Sequence, residues 1–358
     1  MANTSADTSA NPTGGHPVTL GLDTFGDVTN DDAGKPLSHA RTIRGLVEEG
    51  VLADRTGVDH FAIGEHHTDW MPLSAADVVL AAIAARTSRI RLGSGVTVIS
   101  SDDPVRVFQR FATLDGLSGG RAEIILGRGS SVESFPLFGY DLADYERLFE
   151  EKVELFAELL KEEPVTWSGT VRPALKEMPV HPHSESGAIP TWIGVGGSPE
   201  SVVRTARHGF SLMLAIIGGE TARFAPFSRL FRHELAAFGH PDRPVGVHSP
   251  GHVAVTDEQA VEEFWPYYRA TMAMVAEQRG FRAPTFEHFT RDVGPGGALY
   301  VGSPETVARK ITATLKVLDA SRFDLKYGMN GLPHGRLMNA IELFGTRVAP
   351  LVRDMMSG

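Results

Sequence analysis

Three short stretches carry side chains whose types and spacing could do chemistry. Glu65-His66-His67 follows the apolar run Asp59–Gly64. On an extended backbone side chains alternate, so Glu65 and His67 face one way while Ala62, Gly64 and His66 face the other. The two histidines are then badly placed to share a metal. His66, with small neighbours leaving room beside it, is a candidate general acid or base. A histidine packed in the loop after a strand would use the same residues, and the pattern leaves both uses open. Arg128-Gly129-Ser130-Ser131 offers a guanidinium, hydroxyls and a glycine that lets a ligand approach the backbone, suiting a flavin or phosphate contact. Val195-Gly196-Gly197-Ser198-Pro199-Glu200 follows an apolar run and opens a helix, whose unpaired N–H groups and positive end favour an anion. A Gly-Gly turn with a serine cap and proline in the first turn accounts for the same residues without a ligand. The Lys-Ser/Thr pair of a Walker loop is missing.

Other candidates read more plainly. Asp102-Asp103 precedes Pro104 and suits a helix cap better than a metal site. His181, His183 and Glu185 sit among prolines and turn residues, as a surface loop does. The Gly-x-Ser-x-Gly elbow of serine hydrolases is absent. The chain has no cysteine, which removes disulfides, thiolate metal sites and cysteine nucleophiles. Among 358 residues, 34 basic and 44 acidic side chains give a net charge of −10, with no cation excess to displace counterions from nucleic acid or an anionic membrane. No apolar stretch approaches the ~20 residues needed to span a bilayer. Residues 1–17 read as a disordered tail rather than a signal peptide, so a cytoplasmic protein is expected.

Strand-length apolar runs alternate with helix-period segments along the rest. Strands are expected at 18–23, 59–64, 90–99, 122–126, 189–194, 210–217, 245–255 and 323–327. Helices are expected from about 38, from a Ser74 cap, from Pro104 to the Gly119-Gly120 stop, over 141–163, 198–208, 220–238 and 257–279, after Ser303, and over 335–355. The Pro- and His-rich 164–187 reads as an excursion, and the turn-rich 280–302 as irregular. Eight βα units in one chain predict an α/β fold, a (β/α)8 TIM barrel forming a single domain over 18–358. Reacting groups in such barrels sit where strands enter the following loops. That selects Asp23 to Asp27, Glu65 to His67, Ser100 to Asp103, Arg128 to Ser131, Gly196 to Ser198, Gly218-Gly219 and the segment after Tyr327.

The order of these motifs resembles the bacterial luciferase-like flavin monooxygenase family. The likeness runs through Glu65-His66-His67, Gly93 to Thr97, Asp103 to Arg106, Leu117 to Arg121, Gly127-Arg128-Gly129, Phe138-Gly139, Gly196-Gly197-Ser198 and Val301 to Glu305. It implies a barrel binding FMN across the carboxyl ends of its strands and using reduced flavin and O2 to oxygenate a small organic substrate. His66 matches the family's active-site histidine. Gly95, Val96 and Thr97 would lie under the ring, with a cis peptide at Gly95–Val96. Arg128, Gly129 and Ser130 would contact the flavin or its phosphate, and Gly196, Gly197 and Ser198 would hold that phosphate. A separate flavin reductase and a homodimer are implied as partners, and no metal. Gly197 stands where the luciferase α subunit has an acid, and the luciferase's reactive cysteine has no counterpart, so light emission is not expected. The excursion 164–187 and the segment 280–302 would wall or cover the flavin, and Phe25, Trp70, Phe135 and Tyr140 could line an aromatic pocket. A branch of the same family uses a deazaflavin for hydride transfer, and a flavin-binding subunit without chemistry of its own is a third possibility.

Overall fold

A computed structural model of the chain describes residues 15–129, 133–280 and 282–358. The tail expected over 1–17 lies outside these residues except for its last three, and Ser130 and Ser131 lie outside them altogether. Eight strands close into a parallel barrel: β1 (Thr19–Thr24), β2 (His60–Ile63), β3 (Arg91–Ser94), β4 (Ala122–Gly127), β5 (Thr191–Val195), β6 (Ser211–Ala215), β7 (Val245–Val253) and β8 (Arg322–Lys326). Each pairs with the next. β8 returns to β1, with Leu22 opposite Leu325, so the sheet has closed as the alternation predicts.

Period-two alternation divides each strand between two environments. Leu20 and Leu22, Phe61 and Ile63, Ile124 and Leu126, Leu212 and Leu214, and Phe323 and Leu325 face outward into the main core under the helices. The inner face is different. Ile125, Trp192 and Met213 form a separate small cluster, with Val96 against it. Beneath them the barrel is plugged by charge. Arg322 pairs with Asp324 at 2.7 Å and Glu123 at 2.7 Å, His60 pairs with Glu123 at 3.2 Å, and the guanidinium lies 4.8 Å from the Trp192 ring centre. Glycine makes this plug possible. A Cβ on Gly21 would fall 2.2 Å from Asp324 Oδ1, and one on Gly93 2.8 Å from Glu123 Cγ. Burial pushes the Glu123 carboxyl up, but Arg322 and His60 overcome it and hold the group well below the usual carboxylate range.

Several local expectations are corrected. The stretch 90–99 is not one strand. β3 stops at Ser94, the Gly95–Val96 peptide is cis, Thr97–Val98 pairs again with β4, and a 3₁₀ turn follows over Ile99–Ser101. Ser74 does not cap: the helix Ala76–Ala84 has Ala75 at its N-cap position and no side-chain bond there. Within 280–302, Phe286–Val293 is a helix capped by Thr285, and Tyr300–Gly302 is a short strand beside β7. Phe289 is fully buried, stacked or tilted against Phe264, Trp265 and Tyr268, and this packing outweighs a turn-rich composition confined to 293–298. The helix expected over 141–163 is a 3₁₀ turn, Leu142–Asp144, followed by Tyr145–Leu159. The excursion contains an antiparallel hairpin, Val165–Trp167 with Leu175–Met178. Among the described residues no helix is long and apolar enough to cross a membrane.

Candidate active site

Above the charged plug the inward positions become small, and a cavity of about 340 Å³ opens at the carboxyl ends of the strands. Gly95, Gly127, Gly194, Gly196 and Ala215 line it, together with Val96, Ile125 and Met213. The absence of side chains creates the space. A Cβ on Gly127 would strike Val96 at 2.4 Å, whereas one on Gly196 would meet nothing within 4 Å and would project into the opening. The result is a flat, largely apolar cradle of a size that holds a small planar ligand.

Polar groups line the cavity too. His66 lines the cavity and is only 8% exposed; its Nδ1 lies 3.0 Å from Glu133 Oε1. That contact leaves Nε2 as the ring nitrogen available to a ligand. Burial pushes Glu133 up, but hydrogen bonds from His66 and from backbone N–H groups hold its carboxyl below the ordinary range. Glu65 also borders the cavity; it accepts from His67 at 3.0 Å and from the Val98 amide at 3.1 Å. It thereby fastens the end of β2 to the irregular turn after β3. From β1, which pairs with β2, and from the following β8 and β7 come Asp23, Asp324 and His248, with Phe25 between the two histidines.

The rim carries the cations. Arg128, just past β4, donates to Glu146 and, at 3.3 Å, to Ser201 Oγ, with its guanidinium 5.2 Å from the Tyr145 ring centre. Arg204 reaches the same Glu146 at 3.2 Å and the same Ser201 at 3.4 Å. Ser201 lies in the first turn of the helix Pro199–Arg207, whose N-cap is Ser198. Ser198 Oγ accepts from the Ser201 amide at 3.3 Å and donates to Glu200 at 2.7 Å. Gly197 has φ 116°, which an L side chain rarely adopts, and so delivers the chain from β5 to the helix. Two guanidinium groups, Arg128 and Arg204, therefore share an exposed carboxylate, Glu146, that an anion could displace, and both also donate to Ser201 in the first turn of that helix.

The structure thus gathers His66, Gly95, Val96, Arg128, Gly129 and Gly196 around one cavity, with Gly197 and Ser198 at the rim beyond Gly196. Thr97 is elsewhere: it lines a second cavity of about 210 Å³ behind Glu65, with His67, Ser74, Asp102 and Arg110. Ser130 lies outside the described residues. Of the four aromatic candidates only Phe25 lines the larger cavity; Phe135 is fully buried against Tyr145, and Tyr140 lies under Lys152. Among the described residues, neither 164–187 nor 280–302 contributes a lining residue to that cavity. Asp103 caps its helix, accepting from the amides of Val105 and Arg106. Among the described residues no group of three or more His, Asp or Glu is placed to hold a metal.

Two participants, His248 and Glu133, escaped the sequence, and a third was selected only by its place at a strand end. Asp23 falls in a strand-end segment but without a partner to give it a role. Its partner His248 sits midway along an apparently continuous strand. Only the pairing shows that β7 leaves the barrel after its contact with β8 and continues beside Tyr300–Gly302, so His248 stands near the barrel's open end. Glu133 is 67 residues from His66 and has no local signature.

Comparison with known proteins agrees with this fold. The 4-hydroxyprotoasukamycin monooxygenase of Streptomyces nodosus subsp. asukaensis is 37% identical over 115 residues, 32% of this chain and 31% of that relative, so the match spans less than two thirds of its length. The F420-dependent glucose-6-phosphate dehydrogenase 1 of Rhodococcus jostii (strain RHA1) is 31% identical over 169 residues, 43% of this chain and 48% of the relative. The oxygenating constituent of 3,6-diketocamphane monooxygenase from Pseudomonas putida, solved in complex with FMN, superposes with a TM-score of 0.72 at 18% identity, covering 94% of this chain and 99% of that one; it shares the fold. Residues 24–319 match the luciferase-like monooxygenase family, and the chain belongs to that family.

Proposed function

We propose that the chain is an FMN-dependent monooxygenase that binds the flavin ring in the 340 Å³ cavity and oxygenates a small organic substrate with O2. The observation that carries this reading is that Arg128 both lines the glycine-floored cavity and belongs to the cationic cluster beside the helix Pro199–Arg207: an apolar flat ring with an anionic tail needs two such environments side by side. Bound in its reduced form, FMN would supply the electrons and the oxygen-activating ring. The chain's own residues would do the rest. Gly95, Val96, Gly127, Gly194 and Gly196 would receive the ring, and Ile125 and Met213 would keep water from one face. Arg128, Ser198, Ser201 and the Gly196-Gly197 backbone would hold the phosphate, with Glu146 released toward solvent. His66, oriented by Glu133, would hold or move a proton at Nε2. A separate reductase would supply reduced flavin, and the active form would be a homodimer.

The match to an F420-dependent dehydrogenase favours a second reading, in which a deazaflavin occupies the same cavity and hydride transfer replaces oxygenation. A non-catalytic flavin-binding role would leave the oriented His66–Glu133 pair without purpose. Titration of the purified protein with FMN and with F420, followed by fluorescence quenching, separates the first two. The monooxygenase reading expects saturable FMN binding and substrate-dependent O2 uptake. F420 binding with no affinity for FMN would refute it.

A further inference from the structure

We infer that Asp23 and His248 form a second ligand-facing pair, a charged N–H donor bordering the same cavity as His66 and parted from it by Phe25, that selects a planar ring in its negatively charged form. The inference rests on the flavin reading and deepens it: the form selected is reduced FMN.

The geometry is specific. Asp23 and His248 project inward from β1 and β7, two strands that do not pair with each other because β8 lies between them. His248 Nδ1 meets Asp23 Oδ2 across that gap, directly above the charged plug, and both residues line the cavity. With Nδ1 engaged, Nε2 is the ring nitrogen left for a ligand. Asp23 is 2% exposed, and its other oxygen, Oδ1, is buried without a hydrogen-bond partner. The His248 ring stacks on Phe25 at 5.9 Å and 18°, while His66 approaches the same phenyl ring at 5.0 Å. One aromatic side chain thus separates two carboxylate-bound imidazoles that border a single cavity.

The surrounding charges hold the proton on this pair. Two carboxylates act on His248, Asp23 from β1 and Asp324 from β8. The neighbouring cation, Lys326 on β8, is matched by Asp27 at 2.8 Å, and Asp324 itself is paired with Arg322. Burial opposes the charged ring, but Asp23 overcomes it and raises His248 above the ordinary histidine range. Burial likewise pushes Asp23 up, so the pair keeps its shared proton where a free imidazole would begin to lose it. A group needed only to tie β1 to β7 would have no reason to border the ligand space.

The test compares the affinities of the purified protein for oxidised FMN and for FMN reduced under anaerobic conditions, both at neutral pH. The wild type is expected to bind the reduced form more tightly. His248→Asn retains an N–H for Asp23 but carries no charge. It should lose about tenfold to a hundredfold of that preference, the larger loss falling on the reduced form, while its melting temperature stays near wild type. Asp23→Asn, read by the same ratio, should fall between the two and serves if the histidine variant does not fold. A lowered melting temperature with an unchanged ratio in both variants would make the pair a structural tie and overturn the inference. A wild type that binds neither form would overturn the flavin reading, and this inference with it.

Discussion

Arg128 and His66 are the residues on which the proposed chemistry depends, and they fail in distinguishable ways. The guanidinium of Arg128 is shared between Glu146 and Ser201, beside the helix whose N-terminus would meet the phosphate. Arg128→Ala should therefore weaken FMN by about tenfold to a hundredfold while leaving riboflavin, which lacks the phosphate, nearly unaffected. Equal losses for both ligands would remove Arg128 from the phosphate site. His66 lies beside the cavity with its Nδ1 held by Glu133. His66→Ala should retain FMN affinity and lose about 10²- to 10⁴-fold of substrate-dependent O2 uptake. Undiminished uptake would take the histidine out of the mechanism. His66 could be singled out in the sequence because the strand-end position and the neighbouring small residues are local facts. Its orienting acid could not, since Glu133 meets it only through the fold.

At the scale of elements, the strands act through what their inner faces omit. Gly196 ends its run without a positive φ, and a Cβ there meets nothing. Gly196→Leu is accordingly expected to melt near the wild-type temperature yet lose at least about tenfold in FMN affinity, because the side chain fills ligand space and not core. Retained affinity would place the ring elsewhere. The helix Pro304–Leu318 shows the opposite economy. Lys310 is 6% exposed and donates to three backbone carbonyls, those of Asp292, Val293 and Leu299, at 3.0, 2.9 and 2.7 Å. It pins the turn-rich 293–299 against the barrel. Lys310→Met removes all three donors, and denaturant unfolding should show a loss of about 2–4 kcal/mol. A loss under about 0.5 kcal/mol would mean that water replaces the amine. Nothing in the sequence around Gly294 to Gly297 announces this anchor, because the lysine arrives from a helix that begins later in the chain.

Across the whole molecule, pH acts on the seam where the closing helix meets the first one. His334 opens the helix His334–Leu343 and lies 3.2 Å from Glu49 of His39–Thr56. The hydrogen bond to Glu49 raises His334 above its ordinary value, against the opposing effect of burial. The folded state then binds this proton more tightly than the unfolded chain. Its contribution is complete below about pH 6.5 and fades as pH rises through the raised folded value. The stability difference between wild type and His334→Gln should shrink on going from about pH 6 to about pH 9. A difference that is flat or grows with pH would contradict the assignment.

What the sequence by itself determined is the repeating part of this protein. Alternation of strand and helix periods, Ser and Asp caps at helix starts and glycines at their ends are local properties, and they were enough for the eightfold barrel and for the strand ends that hold His66, Arg128 and Gly196. The resemblance carried by the ordered motifs added the cofactor and the chemistry expected there. Tertiary structure alone decided which inward side chains meet. Asp23 and His248 are 225 residues apart, His66 and Glu133 67. These partners depend on strand register and on where β7 leaves the barrel, quantities set by closure of the whole sheet and not by any window of the chain. The same holds for the expected walls. Whether 164–187 and 280–302 cover the cavity depends on packing against surfaces built elsewhere, and aromatic burial drew the second of them into a helix beside Phe264.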